Sequence, residues 1–356
     1  MGKEYILPDL IDSHVHLRTP GATHKETFET GTMAAIAGGY TTIVDMPNNP
    51  KPTITPEELQ RKIFLAEKGI YCDLGFHFGV GAKAIGSDYF EEVKDRVFGL
   101  KIYMSHTTGP LLVTEMNDLE RAFSTWTSKQ PILVHAEGET LQTAITLSAR
   151  HGKKLHVCHV STKDEIQMVK KAKEQNLPIT CEVTPHHLFL TEEDFDINNP
   201  FSKMRPPLGS KKDQNALWEN LDVVDIIASD HAPHTKEEKL SDKPPYGIPG
   251  LETTLPLLLT AVNEGRLTID RLIELTSVNP RRIFGIPKLP ETYTQVDLSQ
   301  NYIIDPKNFN TKAKWTPFEG MKVTGKIIKV VLRGTVVFDG ENIINPPLGR
   351  VVFPRQ

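Results

Sequence analysis

The chain has 356 residues, with 41 lysines and arginines against 45 aspartates and glutamates, a formal net charge of -4 and no long run of either sign, which argues against a nucleic-acid partner. Three cysteines, Cys72, Cys158 and Cys181, are too few for a disulfide framework and point to a reducing, cytoplasmic setting. No apolar stretch approaches the roughly 20 residues of a membrane span and residues 1–8 lack a secretory hydrophobic region, so neither export nor a membrane is expected.

From residue 10 to about 230, short apolar runs alternate with amphipathic segments, the pattern of parallel strands joined by helices. Eight runs are short and apolar enough for buried strands: Leu10–His16, Thr41–Met46, Asp73–Gly79, Gly99–Met104, Ile132–His135, His156–Val160, Ile179–Val183 and Ile226–Ser229. Eight such units predict a (β/α)8 barrel over residues 9–288. Helix signals lie between them. Thr55-Pro56-Glu57-Glu58 offers an N-cap, a first-turn proline and a carboxylate at N3 ahead of Leu59, Ile63 and Ala66. Ser161-Thr162-Lys163-Asp164 opens a second helix that Asn176-Leu177-Pro178 closes. After the eighth strand come a proline-rich loop, an apolar helix over Leu251–Val262 and a capped helix from Thr268 to about Leu275. The remainder, 289–356 with 1–8, reads as a small β appendage. Its strands are Lys322–Arg333 and Thr335–Phe338, punctuated by turns at Gly325, Gly334 and Asp339-Gly340.

In such a barrel the chemistry sits at the carboxyl ends of the strands, so the polar residues there are the candidates. His14 and His16, at i and i+2, share one face of the first strand; Lys101 lies on the fourth, His135 ends the fifth, His159 ends the sixth, and Asp230 follows the eighth. A single buried histidine is more often satisfied by a carbonyl, and a post-strand aspartate often caps a helix. Four histidines and an aspartate at one mouth are instead a ligand set for two divalent ions. An ammonium at Lys101 beside two cations would be strongly disfavoured, and carboxylation of its Nζ would turn it into a bridging carbamate. Cys158 and Glu182, converging next to His135, form a candidate third zinc site, against the plainer reading of a buried thiol and a hydrogen-bonded carboxylate.

Asp12-Ser13-His14-Val15-His16-Leu17-Arg18, Asp45-Met46-Pro47-Asn48, Gly99-Leu100-Lys101, His135-Ala136-Glu137, Cys158-His159-Val160 and Ala228-Ser229-Asp230-His231-Ala232-Pro233-His234 resemble the amidohydrolase superfamily. With Arg205-Pro206-Pro207-Leu208-Gly209 and Trp315-Thr316-Pro317-Phe318-Glu319-Gly320, the chain looks like a dihydroorotase, most like the dihydroorotase domain of the animal multifunctional pyrimidine-synthesis protein. That resemblance implies reversible cyclisation of N-carbamoyl-L-aspartate to L-dihydroorotate in de novo pyrimidine biosynthesis, by a binuclear zinc centre with a bridging hydroxide. It places one zinc on His14, His16 and Asp230 and the other on His135 and His159, with carboxylated Lys101 between them, and makes Asp230 the proton carrier. For the substrate it implies Arg18, Asn48, Arg205, His234 and the backbone near Pro249-Gly250, with Thr107 on a lid formed by Met104–Pro110. Arg18 as a surface pair, Arg205 as a loop anchor and the lid as a passive connector are the plainer alternatives. His186 and His187 are left as structural. The expected partner is the small-molecule substrate, the expected assembly a homodimer, and the chain is readable as one domain of a multifunctional protein. An allantoinase or hydantoinase, and a non-catalytic dihydroorotase-like scaffold, are the rival readings.

Overall fold

The computed structural model describes residues 3–81, 85, 87–106, 109–196 and 198–355. Strand β1 (Glu4–Pro8) belongs to the appendage, and the barrel follows: β2 (Leu10–Val15), β3 (Tyr40–Asp45), β4 (Asp73–Phe76), β5 (Phe78–Gly79), β6 (Leu100–Tyr103), β7 (Ile132–His135), β8 (Leu155–Val157), β9 (Ile179–Val183) and β10 (Ile226–Ile227). Almost every residue of these strands is buried, as expected when helices cover one face of a parallel sheet and the barrel core fills the other.

Hydrogen bonding runs β2-β3-β4 in one ribbon and β5-β6-β7-β8-β9-β10 in another, and two seams close the ring. The first is at His77. Its N–H bonds to the Asp45 carbonyl at 3.0 Å, while the next residue, Phe78, bonds to the Gly99 carbonyl at 3.0 Å. The run Asp73–Gly79, expected as one strand, is therefore two pieces, because the chain changes pairing partner at a kink. At the second seam Val15 bridges His231, and the buried Asp12 carboxylate accepts from the N–H of His14 and of Ser229, both at 3.1 Å. Burial raises the Asp12 pKa to about 7.

Both capped helices form. Pro56–Ala66 has Thr55 accepting from the Glu58 N–H, and Lys163–Glu174 has a reciprocal capping box between Thr162 and Glu165. The last helical segment is longer than expected. Ile269–Ile273 passes through a widened turn, Glu274–Val278, into Asn279–Phe284. The wide turn accommodates Pro280, which has no N–H to offer the preceding turn.

Strands β11 (Tyr293–Ile303), β12 (Lys322–Leu332) and β13 (Thr335–Phe338) join β1 in an antiparallel sheet of order β1-β11-β12-β13. Strand β1 falls in the 1–8 segment assigned to the appendage, but β11 was not expected: it mixes Gln295, Asp297, Ser299, Gln300 and Asn301 into its length, and half-exposed polar strands carry little pattern. The Arg333-Gly334 turn has φ 49° and 75°, the geometry that matches hairpin twist. Gly325 is not a turn; it lies inside β12 at φ 115°, where a Cβ would come within 2.5 Å of Leu259 Cβ. That close approach seats the sheet on helix Leu251–Asn263. The C-terminal segment returns to the barrel, Leu74 exchanging hydrogen bonds with Arg350 and Val352 at 3.0 Å each. Among the described residues, no helix is long and apolar enough to cross a membrane.

Candidate metal centre and substrate pocket

The seam that closes the barrel also assembles the centre, because β2 carries His14 and His16 while the chain leaving β10 carries Asp230. His16 Nε2 lies 3.0 Å and His14 Nε2 3.4 Å from Asp230 Oδ1. The other nitrogen of each ring is held from behind: His16 Nδ1 is 2.7 Å from Asn48 Oδ1, and His14 Nδ1 makes a very short contact with Glu182 Oε1. Such partners fix which nitrogen faces a metal. Across the mouth His135 Nδ1 meets His159 Nε2 at 2.9 Å, and the His14 and His159 ring centroids are 5.4 Å apart. Lys101 Nζ, fully buried, lies 2.9 Å from Cys158 Sγ.

Burial lowers the His16 pKa to about 4 and pushes His135 and His159 down as well, leaving neutral imidazoles with lone pairs to give. Burial acts the same way on His14, but the charges of Glu182 and Asp230 outweigh it and lift that ring to about 10. Burial would raise Asp230; His14 and His16 instead hold it below the usual carboxylate range. Arg18, His159 and Asp230 all adopt left-handed backbone, with φ 58°, 36° and 46°, strain of the kind that collects at functional sites.

These residues fit divalent metals. His159 Nδ1 is buried with no hydrogen-bond partner among the described residues, and His135 Nε2 has only a long 3.5 Å contact with Glu137 Oε1, so both rings have donor capacity that a metal ion would use. Donor atoms of His14, His159 and Asp230 lie within 4.8 Å of one another, as do those of His14, Cys158 and Glu182. The second triplet joins Cys158 and Glu182 to His14, rather than to the His135 expected from sequence, because the buried Glu182 carboxylate takes its partner from the inward nitrogen of His14. His156 Nε2 holds the other Glu182 oxygen at 3.1 Å.

Beside the centre is a pocket of about 100 Å³ lined by His16, Arg18, Lys25, Asn48, Gly109 and His234 among others. Arg18 is buried, its Nε donating to the Pro233 carbonyl at 3.1 Å and its Nη2 lying 3.2 Å from His234 Nε2. Lys25, which sequence reasoning missed, places its Nζ 3.1 Å from His234 Nδ1. Burial and then the charges of Arg18 and Lys25 push the His234 pKa far down, so the ring is neutral, and its Nε2 lies 2.9 Å from the Tyr246 carbonyl. Arg205 is not among the lining residues; its guanidinium stacks 4.7 Å from the Tyr246 ring centroid. Gly250 has both backbone groups engaged, its N–H with His231 Nδ1 at 3.1 Å and its carbonyl with Thr253 and Thr254. Buried Pro249 lies beside it, while Thr107 falls outside the described residues. His187 is structural, held by Thr184 Oγ1 at 2.7 Å and the Pro206 carbonyl at 3.3 Å.

The sequence profile of the Amidohydrolase family matches residues 5–337. A dihydroorotase of Pyrococcus abyssi is 40% identical, over 97% of this chain and 86% of its own length. The multifunctional protein CAD of Squalus acanthias is 48% identical over 97% of this chain, which spans only 15% of that protein. The solved structure of L-hydantoinase (dihydropyrimidinase) from Arthrobacter aurescens superposes with a TM-score of 0.92 at 27% identity, covering 99% of this chain and 89% of its own. On fold, site and likeness together, the chain belongs to the amidohydrolase family, in its dihydroorotase branch.

Proposed function

We propose that the protein is a zinc-dependent dihydroorotase that opens and closes the cyclic amide of dihydroorotate. The observation that carries this reading is the convergence of His14, His159 and Asp230 donor atoms within 4.8 Å of one another, with His16 on Asp230, His135 on His159, and His159 Nδ1 buried without a hydrogen-bond partner among the described residues. His14, His16 and Asp230 would hold one ion, His135 and His159 the other, and a carboxylated Lys101 both. Bound there, the two ions would supply an activated water and polarise the ring amide carbonyl.

The remaining steps belong to the chain. Asp230, held ionised by His14 and His16, can accept a proton and return it to the ring nitrogen as the amide opens. Arg18 supplies a guanidinium suited to the substrate carboxylate, with Lys25 adding a second positive charge at the pocket wall. Asn48 braces His16 and shares the pocket wall, so it serves the metal side and the substrate side together.

The likeness to L-hydantoinase supports a second reading, hydantoin hydrolysis, which needs no carboxylate-binding arginine. The experiment is zinc analysis of the purified protein with assays on dihydroorotate and on hydantoin. Wild type should hold at least two zincs per chain and hydrolyse dihydroorotate; Lys101→Ala should lose metal and nearly all activity. A fully active Lys101→Ala enzyme would overturn the bridging role, and hydantoin turnover without dihydroorotate turnover would overturn the substrate.

A further inference from the structure

Lys239 closes the one-turn helix Lys236–Lys239, and its side chain is completely buried with no carboxylate partner among the described residues. Its Nζ donates to three carbonyls instead: Lys203 at 2.9 Å, Pro245 at 3.0 Å and Gly247 at 3.2 Å. The ammonium also lies 5.5 Å from the Trp315 ring centroid. Three protons meet three acceptors, so the charged group is saturated and the costs of its burial are offset.

The carbonyls come from two loops, and those loops reach the pocket through His234. Lys203 precedes Arg205 by two residues, and its carbonyl also accepts the Gly247 N–H at 3.1 Å. Pro245 and Gly247 flank Tyr246, whose ring stacks with the Arg205 guanidinium at 4.7 Å and the Lys203 ammonium at 4.8 Å. The Tyr246 carbonyl contacts His234 Nε2, and Trp315 Nε1 donates to the His234 carbonyl at 2.8 Å. His234 in turn touches both Arg18 and Lys25.

We propose that Lys239 is a positioning residue for substrate binding: its ammonium ties the 203–205 and 245–247 loops into one block that holds Arg205 on Tyr246 and orients His234 beside Arg18. The inference rests on the dihydroorotase reading and goes beyond it, since Lys239 is neither a pocket-lining residue nor part of the metal-donor groups. Burial, and then the charge of Lys203, pull the Lys239 pKa down to about 7, a direction the three carbonyls oppose. A neutral amine has only two protons and would leave one loop carbonyl without its donor.

The test is steady-state kinetics on zinc-loaded Lys239→Met, which keeps the length of the side chain and removes the charge. KM for dihydroorotate should rise about tenfold or more, with kcat within about threefold of wild type and zinc content unchanged. Tyr246→Leu, which keeps the ammonium and removes the platform under Arg205, should raise KM in the same way and decides the matter if Lys239→Met does not fold. A KM within twofold of wild type in the folded variant, or a kcat that falls as far as kcat/KM, overturns the inference. An active wild type with an unchanged variant refutes this inference alone; an inactive wild type refutes the functional reading and takes this inference with it.

Discussion

Arg18 occupies left-handed backbone at φ 58°, and the strain is tolerable because its guanidinium is held by the Pro233 carbonyl and His234. Burial lowers its pKa only to about 10, so it stays charged at neutral pH and suits a carboxylate. Arg18→Ala should therefore raise KM by roughly 10–100-fold, about 1.4–2.7 kcal/mol, with both zincs retained; zinc loss in that variant would move Arg18 to the metal side. Cys158 poses a question of stoichiometry. If it shares an ion with His14 and Glu182, Cys158→Ser should lose one zinc per chain by elemental analysis. Equal zinc in both proteins would leave Glu182 orienting His14 rather than holding a third ion.

At the scale of elements, helix Leu251–Asn263 holds the loop that leads to Trp315. Glu252, in its first turn, accepts from Asn310 N at 2.7 Å, Asn310 Nδ2 at 3.1 Å and Thr311 N at 3.1 Å. Burial, aided by the nearby charge of Glu26, raises the Glu252 pKa to about 7 despite those donors. The native state thus binds a proton that the unfolded chain releases from about pH 4.3 upward. Its stabilising contribution is full below that value and is lost as pH rises through about 7, a change on the order of 3 kcal/mol. Replacement by a neutral amide removes the titration, so the stability gap between wild type and Glu252→Gln should shift against wild type from pH 5 to pH 8. Urea unfolding at several pH values measures it, and a gap independent of pH would place the ionisation elsewhere.

For the molecule as a whole, the ring is closed where Asp12 ties the β2 and β10 ends, so the metal cluster and the last seam occupy the same place. That region packs the buried Glu182 and partly buried Asp230 carboxylates around His14, beside a His159 Nδ1 that has no hydrogen-bond partner among the described residues. Removing zinc with a chelator should abolish activity and lower Tm, and adding zinc back should restore both, since an ion that binds only the folded state stabilises it by mass action. An unchanged Tm in the metal-free protein would show that the barrel closes without help from the centre.

Eight barrel strands were legible in the sequence because strands buried on both faces are short unbroken apolar runs, and the ligand types were legible because barrel chemistry collects where those runs end. Cap signals at Thr55 and Thr162 were equally local, requiring only side chains within one turn. Tertiary structure decided what depends on residues far apart in the chain. The kink at His77 follows from which neighbour each half of the strand can reach, and β11 is held by its pairing with β1 and β12 rather than by any pattern of its own. Glu182 finds His14 across 168 positions. Lys239, in the polar stretch Glu237-Glu238-Lys239-Leu240-Ser241-Asp242, has the sequence of a solvent-exposed lysine; it is buried because a loop 36 residues earlier and the loop that follows it fold their carbonyls around its charge, and a buried charge is stable only where such partners converge.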